Sequence, residues 1–452
     1  MKQSVDAVVV GGGTAGLNAA LQLARTGRSV ALLERRAEGT SGARWVNGVL
    51  DWQFERAGLE PSAGAERLAD NSTAWMVSPS GRYRFAIRRS PVVEADMREL
   101  VQRLTNLAID AGVDIRWGTD QPVLDFRFGR PGSVDAQCGH SAVHFDADLF
   151  VDASGRAGVL RRQSGELAEL CPPASPASTC VAQQLVLEVA DRDGALEFCD
   201  ANGVQPGEAV VQIGLEGGYS TLNIRVEPDL HAVSVLTGSI PSLGYASGPA
   251  MVRAARETHR WMGPTIFGGS GHIPLRRVYD RFTAPGLALV GDAACQVMPA
   301  HGSGIGFGMI AAKVLAEAVA NADDPGSPDT LWSYQANFLR EFGATLAGYD
   351  AIRRMSVTLG SKGAEELFSS GVFSEPLVRN GLDQKLGSLP PTKAGAAALA
   401  LAKRPHLAKV VAPALAYMGA ARGVYSTYPR RNDPRSFERW LKLGEPWRIS
   451  QS

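Results

Sequence analysis

The sequence lacks an excess of either charge: its 452 residues carry 46 acidic and 46 basic side chains. No overall field therefore recruits nucleic acid or an anionic membrane. Cysteine is scarce, and Cys138, Cys171, Cys180, Cys199 and Cys295 are odd in number and scattered. That argues against a disulfide framework and fits a reducing compartment. Long apolar runs are missing too. The most apolar late stretches, Ala394 to Ala402 and Val410 to Ala421, are separated by Lys403-Arg404-Pro405-His406. Each falls well short of the ~20 apolar residues of a membrane span. Strand-like residues begin by Val5, with no apolar h-region and small-residue cleavage site after them. A cytoplasmic protein without integral membrane association is expected. There is no internal repeat, and no metal site is expected.

What is present is a change of pattern along the chain. A β-branched run, Val5 to Val10, meets glycines and then a helical pattern, Leu17 to Arg25, followed by a second strand, Arg28 to Glu34. Glu94 to Ala111 has helical spacing, and Asp146 to Asp152 is a short apolar strand. A proline-rich connector, Cys171 to Ser178, leads into four alternating segments: Val181 to Val189, Ala209 to Leu215, Ser220 to Val226 and His231 to Leu236. Gly286 to Val290 returns to the buried-strand type and Ile305 to Ala320 reads as a small-residue helix. From Leu331 the pattern is mostly helical, interrupted near Gly387 to Pro391. The fold class is therefore α/β: a Rossmann-type dinucleotide domain in discontinuous pieces, an inserted antiparallel sheet and a helical C-terminal region. The expected boundaries are 1–170 (with part of the sheet domain near 70–95), 179–275, 276–325 and 326–452.

Gly11-Gly12-Gly13-Thr14-Ala15-Gly16 carries the G-x-G-x-x-G pattern between a strand and a helix. Gly11 permits the tight turn, Gly13 lets the backbone approach a pyrophosphate, and Gly16 lets helix and strand pack closely. Thr14 and Ala15 open the helix whose free N–H groups face the anion. Glu34, followed by Arg35, ends the second strand 18 residues after Gly16. Its carboxylate suits two ribose hydroxyls and repels a 2′-phosphate.

A second constellation lies downstream. Asp292 follows the buried strand Leu287-Ala288-Leu289-Val290, and Met298-Pro299-Ala300-His301-Gly302-Ser303-Gly304-Ile305-Gly306 then opens a helix. With the glycine turn, this resembles the para-hydroxybenzoate hydroxylase-like flavoproteins, a superfamily of flavin monooxygenases, flavin-dependent halogenases and geranylgeranyl reductases. The resemblance implies FAD, with Asp292 at the ribityl chain and the loop Pro299, Gly302, Gly304, Ile305 beside the flavin ring. A helix start there favours the negative charge of reduced flavin. Arg44, in Gly42-Ala43-Arg44-Trp45, matches an arginine that contacts the cofactor in the hydroxylases. Arg98 is the nearest match to a second such arginine, although Glu94 could occupy that register. Asp152-Ala153-Ser154-Gly155-Arg156-Ala157-Gly158-Val159-Leu160-Arg161 is similar to a turn near the cofactor that also supports nicotinamide use. No second glycine fingerprint is present, so NADH or NADPH would dock transiently, or a flavin reductase partner would supply electrons.

His301 is the candidate proton-handling residue, with a loop imidazole bonded to backbone as its alternative. Cys295 is more simply a small buried hydrophobe. Tyr219, Trp45 and Trp75 are candidate pocket residues, and Arg88-Arg89 and Arg353-Arg354 read most simply as solvated faces. The leading expectation is an FAD-dependent monooxygenase of an aromatic or apolar substrate, including a tryptophan or indole ring, free or within a protein or peptide. An isoprenoid double-bond reductase is the alternative, and a non-catalytic FAD-binding module the third. The W-x-W-x-I-P signature of halogenases is absent, and Gly217-Gly218-Tyr219 continues as Ser220-Thr221-Leu222-Asn223 without the reductases' aromatic-Pro segment.

Overall fold

Strands drawn from residues 7–152 and 283–289 meet in one six-stranded sheet. In the computed structural model, which describes residues 2–387 and 390–448, its strand order is Thr283–Ala284, Leu287–Leu289, Leu149–Asp152, Ala7–Val10, Val30–Glu34, Asp114–Trp117. All neighbours are parallel except the outermost pair, Thr283–Ala284 and Leu287–Leu289. Ala7–Val10 and Val30–Glu34 are buried throughout, which explains why their sequences run apolar instead of alternating. Helix Thr14–Ala24 packs on this sheet, and helix Ile305–Val319, almost 300 residues later in the chain, packs against that helix. Buried Asn18 joins them, its amide donating to the Met309 carbonyl at 2.8 Å. An apolar residue there would remove this bond between the two helices.

The second sheet has seven strands: Met262–Pro274, Thr179–Val189, Ala232–Ser239, Thr221–Val226, Ala209–Ile213, Ala74–Val77 and Arg84–Ile87. It is antiparallel apart from Ala209–Ile213 beside Ala74–Val77. The last two strands come from before the connector, so the sheet too is assembled from separate segments. Buried Arg225 ties it to the three-stranded sheet Val46–Val49, Val93–Asp96, Arg67–Ala69, bonding Glu94 at 2.7 Å and Glu227 at 2.8 Å.

Several elements were not legible in the pattern, among them strand Asp114–Trp117 and helices Arg192–Asn202 and Gly248–Thr258. The four-stranded sheet Lys2–Ser4, Ser141–Asp146, Arg130–Cys138, Thr119–Arg127 was another. So was Met262–Pro274, whose glycines hide its strand character. The tail is helical, from Pro328–Phe338 to Pro434–Arg448. In the interruption near Gly387 to Pro391, Ser388 and Leu389 lie outside the described residues. The pair Arg353-Arg354 is corrected by the structure. Arg353 is buried against Asp350 at 2.9 Å, and Arg354 bonds the same carboxylate at 2.6 Å. The cause is helical spacing, which puts i+3 and i+4 on one face.

Candidate functional site

The glycine turn is held by close contact. Gly11 has φ +115°, and a Cβ on it would overlap the Ala153 carbonyl. One on Gly16 would overlap the Gly11 carbonyl. Gly13, by contrast, has nothing within 4 Å of where its Cβ would stand. It caps the first helix without any side-chain hydrogen bond, so the free N–H groups of Thr14, Ala15 and Gly16 face open space. Glu34 closes the far side: its buried carboxylate accepts the Gly12 N–H and, at 2.8 Å, the Arg36 N–H. Arg35 beside it is exposed. The loop after this strand folds back over the turn, where a Cβ on Gly42 would lie 3.7 Å from the Gly13 Cα. Arg44 extends from that loop, its guanidinium donating to the Gly39 carbonyl.

Asp292 sits on a 3₁₀ turn, Gly291–Ala294, directly after Leu287–Leu289. Among the described residues no hydrogen-bond donor meets its carboxylate, and burial pushes its pKa up to about 6, opposed by the Arg156 charge. A half-buried carboxylate without donors suits a ligand that brings hydroxyls. Its turn is fixed by Arg161, buried to 2 % exposure, whose guanidinium donates to the Ala293 carbonyl at 3.0 Å. Fully buried Asp152 organises that segment. It accepts from Ser154 N–H and hydroxyl at 3.0 and 2.6 Å, and from the Leu160 and Arg161 N–H groups at 2.9 and 2.7 Å. The Asp152 turn thus spends its hydrogen bonds on bracing the Asp292 turn. Arg161 ends the sequence segment that begins at Asp152, but no short-range pattern pointed to its bond with Ala293.

Next comes the loop 298–304, closed by the Gly302 N–H bonding the Met298 carbonyl at 2.8 Å. Pro299 is buried; Gly302 has φ +74°. Gly304 caps helix Ile305–Val319 without a side-chain partner, leaving this helix start open as well. A Cβ on Gly302 would lie 3.3 Å from Ile273 and 3.7 Å from the Tyr219 hydroxyl. Ile273 shares one face of its strand with Gly271 and Gly269, and Trp45 lies against both glycines, 3.3 and 2.8 Å from where their Cβ atoms would be. One face of Met262–Pro274 therefore runs from the Arg44–Trp45 loop to the Gly302 loop. Burial holds the Tyr219 phenol protonated, its pKa raised well above the ordinary value. Behind it a Cβ on Gly218 would overlap the Ser356 carbonyl of tail helix Ala344–Ser369, which kinks at Gly360 (φ +62°).

Other sequence candidates lie differently. His301 follows Pro299 into the loop, touches solvent, and pairs through Nε2 with the Gly381 carbonyl at 3.3 Å. Desolvation by the surrounding chain lowers its pKa, opposed by the bond to Gly381, so the neutral ring is favoured at pH 7. Arg98 bonds its own helix cap Asp96 at 2.6 Å and covers the Phe267 ring at 3.6 Å. Trp75 is anchored within the sheet, donating to Glu208 at 3.0 Å and stacked under Arg84. Cys295 is buried, with its thiol pushed up by burial. A groove of about 670 Å³ lies elsewhere, between Arg340, Arg430, Arg439 and Trp440. Among the described residues no three His, Cys, Asp or Glu side chains group to hold a metal, and no helix is long and apolar enough to cross a membrane.

The family model of FAD dependent oxidoreductases matches residues 6–168. The chain is an FAD-dependent oxidoreductase. This enzyme is 27 % identical over 352 residues to digeranylgeranylglycerophospholipid reductase 2 of Methanopyrus kandleri, covering 75 % of this chain and 83 % of that one. In fold it is similar to a geranylgeranyl bacteriochlorophyll reductase-like protein of Thermoplasma acidophilum. There the TM-score is 0.72 at 18 % identity, over 92 % of this chain and 100 % of that one. It also resembles a flavin-dependent brominase, with TM-score 0.60 at 15 % identity over 84 % and 94 % of the two chains. The fold is thus that of the superfamily named from the motifs. The open helix starts at Gly13 and Gly304 and the undonated Asp292 carboxylate fit FAD.

Proposed function

We propose that this flavoenzyme reduces carbon–carbon double bonds of an apolar, isoprenoid-type substrate. The carrying observation is Tyr219, a phenol kept protonated by burial beside Gly302, where the flavin ring would border the sheet. The reductase relatives, aligned over three quarters of the chain or more, support this over the monooxygenase expectation. The glycine turn and Glu34 would hold the ADP half of FAD, Asp292 the ribityl chain, and the start of helix Ile305–Val319 the pyrimidine edge. Bound and reduced, FAD supplies a hydride. Tyr219 donates the proton to the other alkene carbon and recovers it from solvent. One C=C bond becomes two new C–H bonds, with two electrons from the reduced cofactor and one proton from the phenol. Trp45, Ile273 and the glycine shelf orient the apolar chain and exclude water. NADH, NADPH or a partner reductase restores the electrons.

Anaerobic single turnover tests this. Enzyme reduced by dithionite is mixed under argon with a geranylgeranyl-chain lipid, and the product is weighed by mass spectrometry. A gain of two hydrogens is expected. An ¹⁸O-labelled product formed only with oxygen gas would replace this reading by the monooxygenase one. That second reading is favoured by the missing aromatic-Pro segment after Tyr219.

A further inference from the structure

The chain as a whole is charge-balanced, but one long part of it is not. Residues 384–432 hold eight Lys and Arg (Lys385, Lys393, Lys403, Arg404, Lys409, Arg422, Arg430, Arg431) and no Asp or Glu. Most of this stretch is a helical hairpin, Pro391–Ala402 and Pro405–Ser426. Among the described residues none of the eight cations is paired with a carboxylate. Three acids on neighbouring helices are already engaged, Glu365 with Ser80, Glu366 with His406 and Glu375 with Arg379, while Asp383 and Asp433 bound the stretch.

The same hairpin exposes apolar side chains that nothing in the fold covers. In its first helix Ala394, Ala396, Ala398 and Leu399 all face solvent, Leu399 at 60 %. In the second the outer face runs Ala412, Leu415 and Ala416, bounded by Lys409 and Arg422. The inner faces are anchored, with Leu401, Leu407 and Val411 packed on Met355 and Leu359 of helix Ala344–Ser369. That helix is the one whose Ser356 backs Gly218 beside Tyr219.

We propose that this hairpin docks the enzyme on the surface of an anionic phospholipid bilayer, independently of which flavin chemistry it performs. The charge pattern selects the occupant. Cations without carboxylate partners, flanking an exposed apolar helix face, match the interface of an anionic bilayer, where the apolar face enters the acyl boundary and the cations meet headgroups. Since no described helix is long and apolar enough to span, the binding is interfacial. Docking here would bring the lipid phase to the helix that backs the substrate cleft.

The test uses FAD-loaded full-length enzyme sedimented with phosphatidylcholine vesicles, with and without ~30 % phosphatidylglycerol, at low and high salt. Expected is strong binding only to the anionic vesicles, weakened at high salt. In Lys403→Glu/Lys409→Glu/Arg422→Glu it should fall by at least ~100-fold, at about 1 kcal/mol for each of the three cations lost. Leu399→Glu should weaken binding at either salt. FAD content and circular dichroism establish that each variant is folded. Equal binding to neutral vesicles, no binding by the wild type, or unchanged binding by the triple variant would each overturn the proposal. So would a dimer in light scattering that Leu399→Glu dissolves, which would assign the face to a second copy.

Discussion

The glycine-turn side of the cleft and the sheet side are built on opposite principles. At the turn, contact is so close that Gly11 and Gly16 admit no Cβ, while Gly13 is left with open space in front of it. Function there depends on backbone, and few side chains can substitute. Across the cleft, Trp45, Ile273 and Tyr219 lie 2.8 to 3.7 Å from where Cβ atoms on Gly269, Gly271 and Gly302 would stand. Those contacts constrain shape without fixing residue type. Cofactor binding should therefore respond sharply to single changes in the turn, whereas the sheet side should change rate and substrate preference and leave FAD in place.

The largest effect should come from Gly13→Asp. The site has room for the side chain, so the protein should fold, but its charge would face the pyrophosphate. FAD affinity should fall by at least ~100-fold, since like charges brought together cost several kcal/mol. Fluorescence titration of apoprotein checks this, and unchanged affinity would break the comparison at its firmer end.

Next is Tyr219→Phe. If the phenol supplies the proton, kcat should drop by ~10²-fold, within the range for general acid catalysis, with FAD affinity and KM little changed. A loss confined to KM would make Tyr219 a packing residue only.

Asp292→Asn separates binding from stability. Loss of one hydrogen bond to a charged acceptor should weaken FAD ~tenfold. The apoprotein should respond in the opposite direction. Burial raises the Asp292 pKa from 3.8 to about 6, so ionisation disfavours the apo fold as pH rises from about 4 through 6. Asparagine lacks that cost, and the variant's apo Tm at pH 7.5 should exceed wild type, with the difference shrinking toward pH 4.

How much of this was legible follows the same division. Gly11, Gly13, Gly16, Glu34 and Asp292 announce themselves locally, because each stands at a fixed offset from a strand end. The α/β class was legible for the same reason: buried strands and long helices have distinct periods. Arg161 under Ala293 and Trp45 on Gly269 and Gly271 join residues more than a hundred positions apart. No period or short motif encodes such contacts. The glycines that make Met262–Pro274 a shelf also erased its strand signal.

The smallest effect should come from His301, and it discriminates between two roles for the Gly302 loop. The ring bonds the Gly381 carbonyl at 3.3 Å, which ties the loop to tail helix Glu375–Leu382. Crowding lowers its pKa below the ordinary 6.5. As pH falls through that value the unfolded chain takes up a proton before the folded one does, so stability declines on acidification. His301→Asn retains a donor for Gly381 and removes the titration. Its Tm should match wild type at pH 7.5 and fall less than wild type between pH 6.5 and 5. Turnover should change by less than ~threefold, far below the loss expected when a general acid or base is removed. A hundredfold loss, with a limb of the pH–rate profile gone, would make His301 a proton donor or acceptor and move the proton chemistry from the sheet side to the loop.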